Sequence, residues 1–203
     1  MILTGQRFVP VIVLDDARQA VPLAEALLRG GIGCAEITLR TDAGPAAIAA
    51  ASAVADFIVG AGTVLTPDDV DRVVDAGARF VVSPGLAEDV VERAIEHGLE
   101  VIPGVATATE VQRALRLGLS RLKLFPAGPL GGIAAVRALA GPFPDVRFLP
   151  SGGVTAENAG EYLASPSVFA VSGSWMATRD LIAAGDFAAI ERLCRACVEL
   201  EPS

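Results

Sequence analysis

Two residues of opposite charge stand inside apolar runs where a charge is unexpected. Glu36 lies in CAEITLR and Lys123 lies in RLKLFPA. Lys123 is the single lysine of a chain that uses 15 arginines, and His97 is its single histidine. Arginine stays protonated, whereas a buried lysine can lose its proton and attack a carbonyl carbon. The residue types therefore predict a nucleophilic lysine close to a buried carboxylate.

The elements that must position this pair alternate regularly along the chain. Short β-branched runs are separated by longer, Ala-rich amphipathic runs. Strands are predicted to begin near Phe8, Cys34, Phe57, Phe80, Glu100, Arg121, Arg147 and Val168. Eight strand–helix units without a linker predict the α/β class and a (β/α)8 TIM barrel, as a single compact domain over residues 1–203. The alternative, an open doubly wound sheet, usually has a Gly-rich loop after its first strand, and FVPVIVLDDAR contains no glycine.

Local signals mark the ends of the predicted helices. Thr66-Pro67-Asp68-Asp69 reads as an N-cap, a proline at the first helical position and acids in the first turn. Other predicted helix starts are Asp16, Thr107, Thr155 and Thr178. Predicted helix ends carry Gly30-Gly31, Gly77, Gly98 and Gly118.

Strand periodicity brings the two charges together. Glu36, Thr38 and Arg40 share one face of the second predicted strand, and the apolar opposite face must meet the helices. The same argument turns Arg121, Lys123 and Phe125 of the sixth predicted strand inward. The second and sixth strands lie opposite each other in an eight-stranded barrel, so Glu36 and Lys123 should meet across the lumen. The alternative is a purely structural ion pair that fills the barrel.

Other polar and glycine residues stand at predicted strand ends, where active sites of such barrels lie. Thr63 ends the third strand and Pro84 the fourth. The seventh strand ends in Ser151-Gly152-Gly153 and the eighth in Gly173-Ser174-Trp175. Loops after strands 7 and 8 commonly bind phosphate through backbone N–H groups, so these two loops predict a phosphate site.

Composition excludes several classes of function. A net charge of −8 and a pI near 4.7 disfavour nucleic acid or an anionic membrane as a partner. The sequence shows neither an apolar run long enough for a membrane span nor a signal peptide, so the expected location is cytoplasmic. Cys34, Cys194 and Cys197 form no disulfide framework, and no cluster has metal-ligand spacing. We expect partly buried helical cysteines at 194 and 197, no metal and no cofactor, and His97 as a helix C-terminal cation.

With these residues placed, the chain resembles the 2-keto-3-deoxy-6-phosphogluconate (KDPG) and 4-hydroxy-2-oxoglutarate (KHG) aldolases, which are class I, Schiff-base lyases. The similarity covers almost the whole chain through motifs in family order: VPVIVL, EITLRT, GAGTVL, SPGL, IPGV, KLFPA, GGI, SGGV and GSW. EITLRT together with KLFPA is the most specific part. The family's short helix before the first strand is reduced here to MILTGQ, which affects how the bottom of the barrel is covered.

The resemblance implies a role for each site residue. Lys123 would form the Schiff base and Glu36 would be the general acid and base. The substrate carboxylate would be held by Arg40 and Thr63, beside the backbone at Pro84, while Phe125 packs beside the imine. The phosphate would be bound by Ser151, Gly152, Gly153 and Ser174. It further implies a small anionic keto-acid phosphate as substrate, no metal and a homotrimer.

Three other functions remain as alternatives. They are a 6-phosphogalactonate aldolase, a phosphosugar epimerase or isomerase on the same barrel, and a non-catalytic barrel scaffold. Epimerases and isomerases use paired acids, Cys or metal-bound His at strand ends, which this chain lacks. A non-catalytic barrel could replace Glu36 and Lys123 by apolar residues at lower cost.

Overall fold

The computed structural model describes residues 1–200, in which nine parallel strands alternate with helices. The strands are β1 (Phe8–Ile12), β2 (Cys34–Thr38), β3 (Ile58–Gly62), β4 (Phe80–Val82), β5 (Glu100–Ile102), β6 (Gly104–Val105), β7 (Arg121–Leu124), β8 (Arg147–Pro150) and β9 (Val171–Gly173). The helices are a 3-10 turn (Ala17–Gln19), α1 (Ala20–Arg29), α2 (Gly44–Ser52), α3 (Pro67–Asp75), α4 (Glu88–Glu96), α5 (Ala108–Arg116), α6 (Ile133–Ala140), α7 (Ala156–Leu163), α8 (Arg179–Ala183) and α9 (Phe187–Val198).

The strands close into the predicted (β/α)8 barrel. A six-stranded sheet has the order β5-β4-β3-β2-β1-β9, and a three-stranded sheet has the order β6-β7-β8. One seam is closed by bridges between Phe148 and Val168 and between Ser151 and Ser172. At the other seam, the N–H of Lys123 donates to the carbonyl of Pro103 over 2.9 Å. The alternating pattern of the sequence therefore predicted the correct architecture.

The predicted fifth strand is divided into β5 and β6, which raises the strand count from eight to nine. The interruption falls at Pro103, which has no N–H to donate to a neighbouring strand. β5 pairs with β4, and β6 pairs with β7, so the divided strand still spans the gap between the two sheets. The lysine strand, predicted as the sixth, is consequently β7.

The predicted helix ends are confirmed. Thr66 Oγ1 accepts a hydrogen bond from the N–H of Asp69 over 3.1 Å, and Asp69 Oδ2 accepts one from the N–H of Thr66 over 3.2 Å. Thr107 and Glu110 exchange the same pair of bonds at the start of α5. Asp16 caps the short 3-10 turn that leads into α1. Of the glycines predicted at helix ends, Gly31, Gly77, Gly98 and Gly118 have a positive φ.

An apolar layer fills the lower half of the lumen. Its buried members are Leu3, Val9, Cys34, Phe80, Val82, Ile102, Leu149 and Ala170. The Phe80 ring occupies the space that a side chain at Gly60 would need, since a Cβ there would lie 2.4 Å from it. Leu3, which precedes β1, is 1% exposed and covers the bottom of the barrel. The segment before β1 thus packs through Leu3 against the lower layer of the lumen.

The cysteines and the histidine take structural positions. Cys194 and Cys197 lie on α9, as expected, and are fully buried where partly buried positions were predicted. His97 is the C-cap of α4, as predicted, and its Nε2 lies 2.8 Å from Asp71 Oδ1. Residues 1–200 contain no group of three or more His, Cys, Asp or Glu arranged to hold a metal ion. None of the helices in that range is both long and apolar enough to span a membrane.

Candidate active site

The two charges predicted to meet across the lumen do so. Glu36 on β2 is 0% exposed and Lys123 on β7 is 5% exposed. Lys123 Nζ donates to Glu36 Oε1 over 3.2 Å. Burying two ions is expensive, and pairing mostly recovers that cost without adding stability. The predicted proximity is confirmed, and the pair occupies the upper lumen above the apolar layer.

Glycines on the strands beside this pair allow close approach of the Glu36 carboxylate and of the Pro84 backbone. Gly62 of β3 pairs with Thr38 of β2, and a Cβ at Gly62 would lie 3.0 Å from Glu36 Oε2. Gly104 of β6 pairs with Lys123, and a Cβ there would lie 2.1 Å from the carbonyl oxygen of Pro84. A larger residue at either position would displace the carboxylate or the Pro84 backbone. The glycines of GAGTV and IPGV are therefore required by close approach.

The two oxygens of Glu36 have different surroundings. Oε1 accepts from Lys123 Nζ and, over 3.4 Å, from Ser172 Oγ. Within residues 1–200, Glu36 Oε2 and Thr38 Oγ1 are buried without a hydrogen-bond partner. The carboxylate is thus held by one oxygen, and its other oxygen is free for a reacting group.

Ser172 was missed in the choice of site residues. It is 0% exposed, on β9, and its side chain faces the lumen. Alternation along VFAVSGSW puts Ser172 on the same face as Ser174, and this is the signal that could have found it.

The charge of Glu36 also acts on a thiol below it. Burial raises the pKa of Cys34 to about 12, and the negative charge of Glu36 adds to the rise. Both causes disfavour a thiolate in the lumen. Cys34 therefore stays a neutral, apolar part of the lower layer, and Lys123 is the nucleophile that this lumen offers.

The aromatic residue after β7 lies beside the lysine. Lys123 Nζ is 5.4 Å from the centroid of the Phe125 ring. The ring also covers Gly152, because a Cβ at that glycine would lie 3.1 Å from Phe125 Cε2. Phe125 therefore connects the lysine with the loop after β8 and excludes water from one side of the amine.

Glu36, Thr38 and Arg40 were predicted to face the lumen. Glu36 and Thr38 do so, but the prediction for Arg40 is wrong. β2 ends at Thr38, so Arg40 belongs to the following loop and is exposed at the rim. Its Nε donates to Thr63 Oγ1 over 3.2 Å. Thr63 has φ = 59°, a conformation that a β-branched residue rarely adopts. The two residues predicted to hold a carboxylate are therefore neighbours, directly above the mouth of the barrel.

The Pro84 turn forms another part of the same rim. Ser83 Oγ donates to the carbonyl of Gly85 over 2.7 Å and closes the turn after β4. Pro84 is half-buried, and its carbonyl packs on Gly104 beside the lysine strand. This turn brings backbone and no charged side chain to the edge of the pocket.

The loops after β8 and β9 lie side by side. The bridge between Ser151 and Ser172 joins the two strand ends. Gly152 and Gly153 have φ of 81° and 84°, and among residues 1–200 neither of their N–H groups donates to another protein group. Ser174 is exposed at the neighbouring strand end. Free N–H groups in a glycine turn beside a hydroxyl are suited to an anion.

The site residues are thus divided between the lumen and the rim. Lys123 and Glu36 form a buried centre, with the half-buried Phe125 beside it. Arg40 with Thr63 and the two glycine-rich loops provide donors around the rim. The arrangement suits a small substrate with a carbonyl in the centre and anionic groups at its ends.

Comparison with known proteins agrees with this geometry. The family model for KDPG and KHG aldolase matches residues 1–193. The 2-dehydro-3-deoxy-phosphogluconate aldolase of Treponema pallidum is 48% identical over 195 residues, covering 96% of this chain and 93% of that protein. The KHG/KDPG aldolase of Escherichia coli K12 is 45% identical, covering 98% of this chain and 93% of that protein.

A solved structure has the same fold over nearly its whole length. The KDPG aldolase of Legionella pneumophila, with pyruvate captured at low pH as a covalent carbinolamine intermediate, superposes with a TM-score of 0.93. It is 39% identical, and the match covers 97% of this chain and 96% of that one. With a family model over nearly the whole chain and relatives above 40% identity, the chain belongs to the KDPG and KHG aldolase family.

Proposed function

We propose that the protein is a class I aldolase that cleaves KDPG to pyruvate and D-glyceraldehyde 3-phosphate, and that it also cleaves KHG to pyruvate and glyoxylate. The observation that carries the proposal is the buried contact of 3.2 Å between the only lysine of the chain and Glu36. Family membership supports the same reaction.

In the proposed mechanism, the neutral amine of Lys123 attacks the C2 carbonyl of the substrate. The carbonyl oxygen takes up a proton, and loss of water from the resulting carbinolamine gives a protonated imine. Removal of the C4 hydroxyl proton then breaks the C3–C4 bond, and its electron pair moves through C3 into the imine as an enamine. The aldehyde leaves, C3 is protonated, and water hydrolyses the imine to release pyruvate and Lys123.

Glu36 is the group that moves protons in this scheme. Its free Oε2 takes the C4 proton, directly or through a water molecule, and returns a proton to C3. Its Oε1 contacts the lysine before the substrate enters. Once the amine is part of an imine, the carboxylate keeps the centre electrically balanced against the iminium cation.

The anionic ends of the substrate are assigned to the rim. Arg40 and Thr63 hold the C1 carboxylate beside the Pro84 backbone, and Phe125 packs against the imine. The 6-phosphate is bound by the loops after β8 and β9, through Ser151, Gly152, Gly153 and Ser174. The exposed position of Ser174 and the free glycine amides support this assignment.

Borohydride trapping tests the nucleophile. The protein is incubated with pyruvate, reduced, digested with trypsin and analysed by mass spectrometry. Without an adduct, trypsin cleaves after Lys123; alkylation of the amine blocks that cleavage and leaves residues 122–137 as one peptide. We expect this joined peptide to carry the reduced pyruvate adduct. An active protein that remains unmodified would exclude the Schiff-base mechanism.

The preferred substrate is tested by comparing kcat/KM for KDPG, KHG and the galacto epimer of KDPG. We expect KDPG to be preferred, because KHG offers nothing to the phosphate loops. A preference for the galacto epimer would instead assign the protein to the phosphogalactonate reaction. Measurable epimerisation without cleavage would favour the epimerase alternative.

Assembly and location belong to the same proposal. We expect a cytoplasmic homotrimer, on the ground of family resemblance. Light scattering during size-exclusion chromatography of the 20.8 kDa chain measures its oligomeric state. A monomeric mass at micromolar concentration would contradict this expectation.

A further inference from the structure

Ser172 of β9 contacts the carboxylate of the Glu36–Lys123 pair. Its Oγ donates to Glu36 Oε1 over 3.4 Å, and both residues are 0% exposed. The same oxygen also accepts from Lys123 Nζ over 3.2 Å. One oxygen of Glu36 therefore receives two hydrogen bonds, while Oε2 receives none within residues 1–200.

The backbone around Ser172 fixes the position of its hydroxyl. Ser172 pairs with Val9 of β1 on one side and bridges to Ser151 on the other. The seam that closes the barrel thus passes through this residue. A serine anchored on both sides presents its Oγ to the lumen at a fixed height, beside the strand end that carries Ser174.

The two bonds to Oε1 change differently during the reaction. When Lys123 forms a protonated imine with the substrate carbonyl, its Nζ keeps one N–H in place of the three of the ammonium, so its capacity to donate to Oε1 falls. Ser172 takes no part in that exchange and keeps its donor. The distance of 3.4 Å exceeds the usual O–H···O separation of about 2.8 Å, and such bonds often shorten when the competing partner leaves and the reacting complex forms.

We propose that Ser172 is a positioning residue that holds Glu36 by Oε1 once Lys123 is bound to substrate, so that Oε2 is presented to the reacting carbons. The inference rests on the proposed function, because it gives Glu36 the proton transfers at C3 and C4. It extends that function by assigning the two oxygens separate tasks. Oε1 anchors the carboxylate, and Oε2 moves the proton.

Pyruvate alone can separate positioning from imine formation. Once pyruvate is an imine on Lys123, a methyl C3–H bond breaks, its proton passes to Glu36 Oε2, and its electron pair moves into the C2–N system as an enamine. In D2O the carboxyl proton exchanges with solvent, and a deuteron returns to C3. Deuterium uptake into the pyruvate methyl therefore reports proton transfer, and borohydride trapping reports imine formation.

The test compares Ser172→Ala with Cys34→Ala as a matched control. Both changes remove one heteroatom from a fully buried lumen side chain, but Cys34 donates to the carbonyl of Phe8 and not to Glu36. We expect Ser172→Ala to trap pyruvate as the unaltered protein does and to lose about tenfold in deuterium uptake, as for a hydrogen bond to a charged group. Ser172→Ala should also lower kcat for KDPG with little change in KM. Cys34→Ala should change neither the rate of deuterium uptake nor kcat.

Three results would overturn the proposal. Deuterium uptake by Ser172→Ala at the original rate would show that the hydroxyl does not position Glu36. A parallel loss of trapping and uptake would place its effect on Lys123 or on the fold. An equal loss in Cys34→Ala would mean that any vacancy in the lumen has this effect. If neither the unaltered protein nor any variant traps pyruvate, the Schiff-base function itself fails. That outcome differs from the three above, because they all require trapping by the unaltered protein.

Discussion

Lys123 Nζ and Glu36 Oε1 lie 3.2 Å apart although 87 positions separate the two residues in the chain. β2 and β7 belong to different sheets, and only closure of the barrel brings their side chains together. The contact is buried, with exposures of 0% for Glu36 and 5% for Lys123. The reactivity of Lys123 therefore depends on the tertiary structure as a whole.

Replacing Lys123 by arginine should abolish turnover without abolishing the fold. Arginine keeps a cation beside Glu36, but it does not release a proton to become a nucleophile. We expect Lys123→Arg to lower kcat/KM for KDPG by about 10⁴-fold or more, by analogy with other nucleophile deletions. Coupled detection of pyruvate measures the rate, and circular dichroism checks the fold. Comparable activity in a folded variant would rule out the imine.

Replacing Glu36 by glutamine should slow proton transfer and spare imine formation. The amide is nearly isosteric, and its oxygen can still accept from Lys123, but it does not take up a proton at neutral pH. We expect kcat to fall by about 10² to 10⁴-fold, the usual contribution of a general acid or base. Pyruvate should still be trapped on Lys123 by borohydride. An unchanged kcat would remove Glu36 from the mechanism.

Replacing Ser174 by alanine should affect only phosphorylated substrate. The hydroxyl is exposed beside the Gly152-Gly153 turn, where the phosphate is expected. Losing one hydrogen bond to a charged group should raise KM for KDPG by about tenfold. KHG has no phosphate, so its kcat/KM provides the internal control and should stay within about twofold. An equal loss on both substrates would place Ser174 at the common end of the site.

The three cysteines should resist alkylation in the folded protein. Burial raises the pKa of Cys34 and of Cys194 to about 12, and it also raises the pKa of Cys197. A thiol whose pKa is raised remains protonated at pH 8, and the thiolate is the nucleophile. We expect iodoacetamide to leave the native chain unmodified for hours at pH 8 and to label three sites after denaturation. Mass spectrometry of the intact chain counts the labels, and rapid native labelling would contradict the burial of these side chains.

Local patterns in the sequence determined the elements and the main chemistry. Strand alternation placed Glu36, Thr38 and Lys123 on inward faces, and capping residues such as Thr66 and Thr107 marked helix starts correctly. These signals work because each depends on neighbours a few positions away. The scarcity of lysine, a feature of composition alone, drew attention to Lys123.

Other features were decided by contacts between distant parts of the chain. Arg40 lies on the rim rather than in the lumen because β2 ends two residues earlier. Ser172 reaches Glu36 because β9 is held between β1 and the end of β8 where the barrel closes. Periodicity gives the face of a strand on which a side chain lies, but the height of one strand against another follows from the stagger of the closed barrel. The sequence by itself thus predicted the inward faces and the meeting of Glu36 with Lys123. Only the tertiary structure decided the heights that put Arg40 on the rim and Ser172 against Glu36, because these heights depend on how the barrel closes.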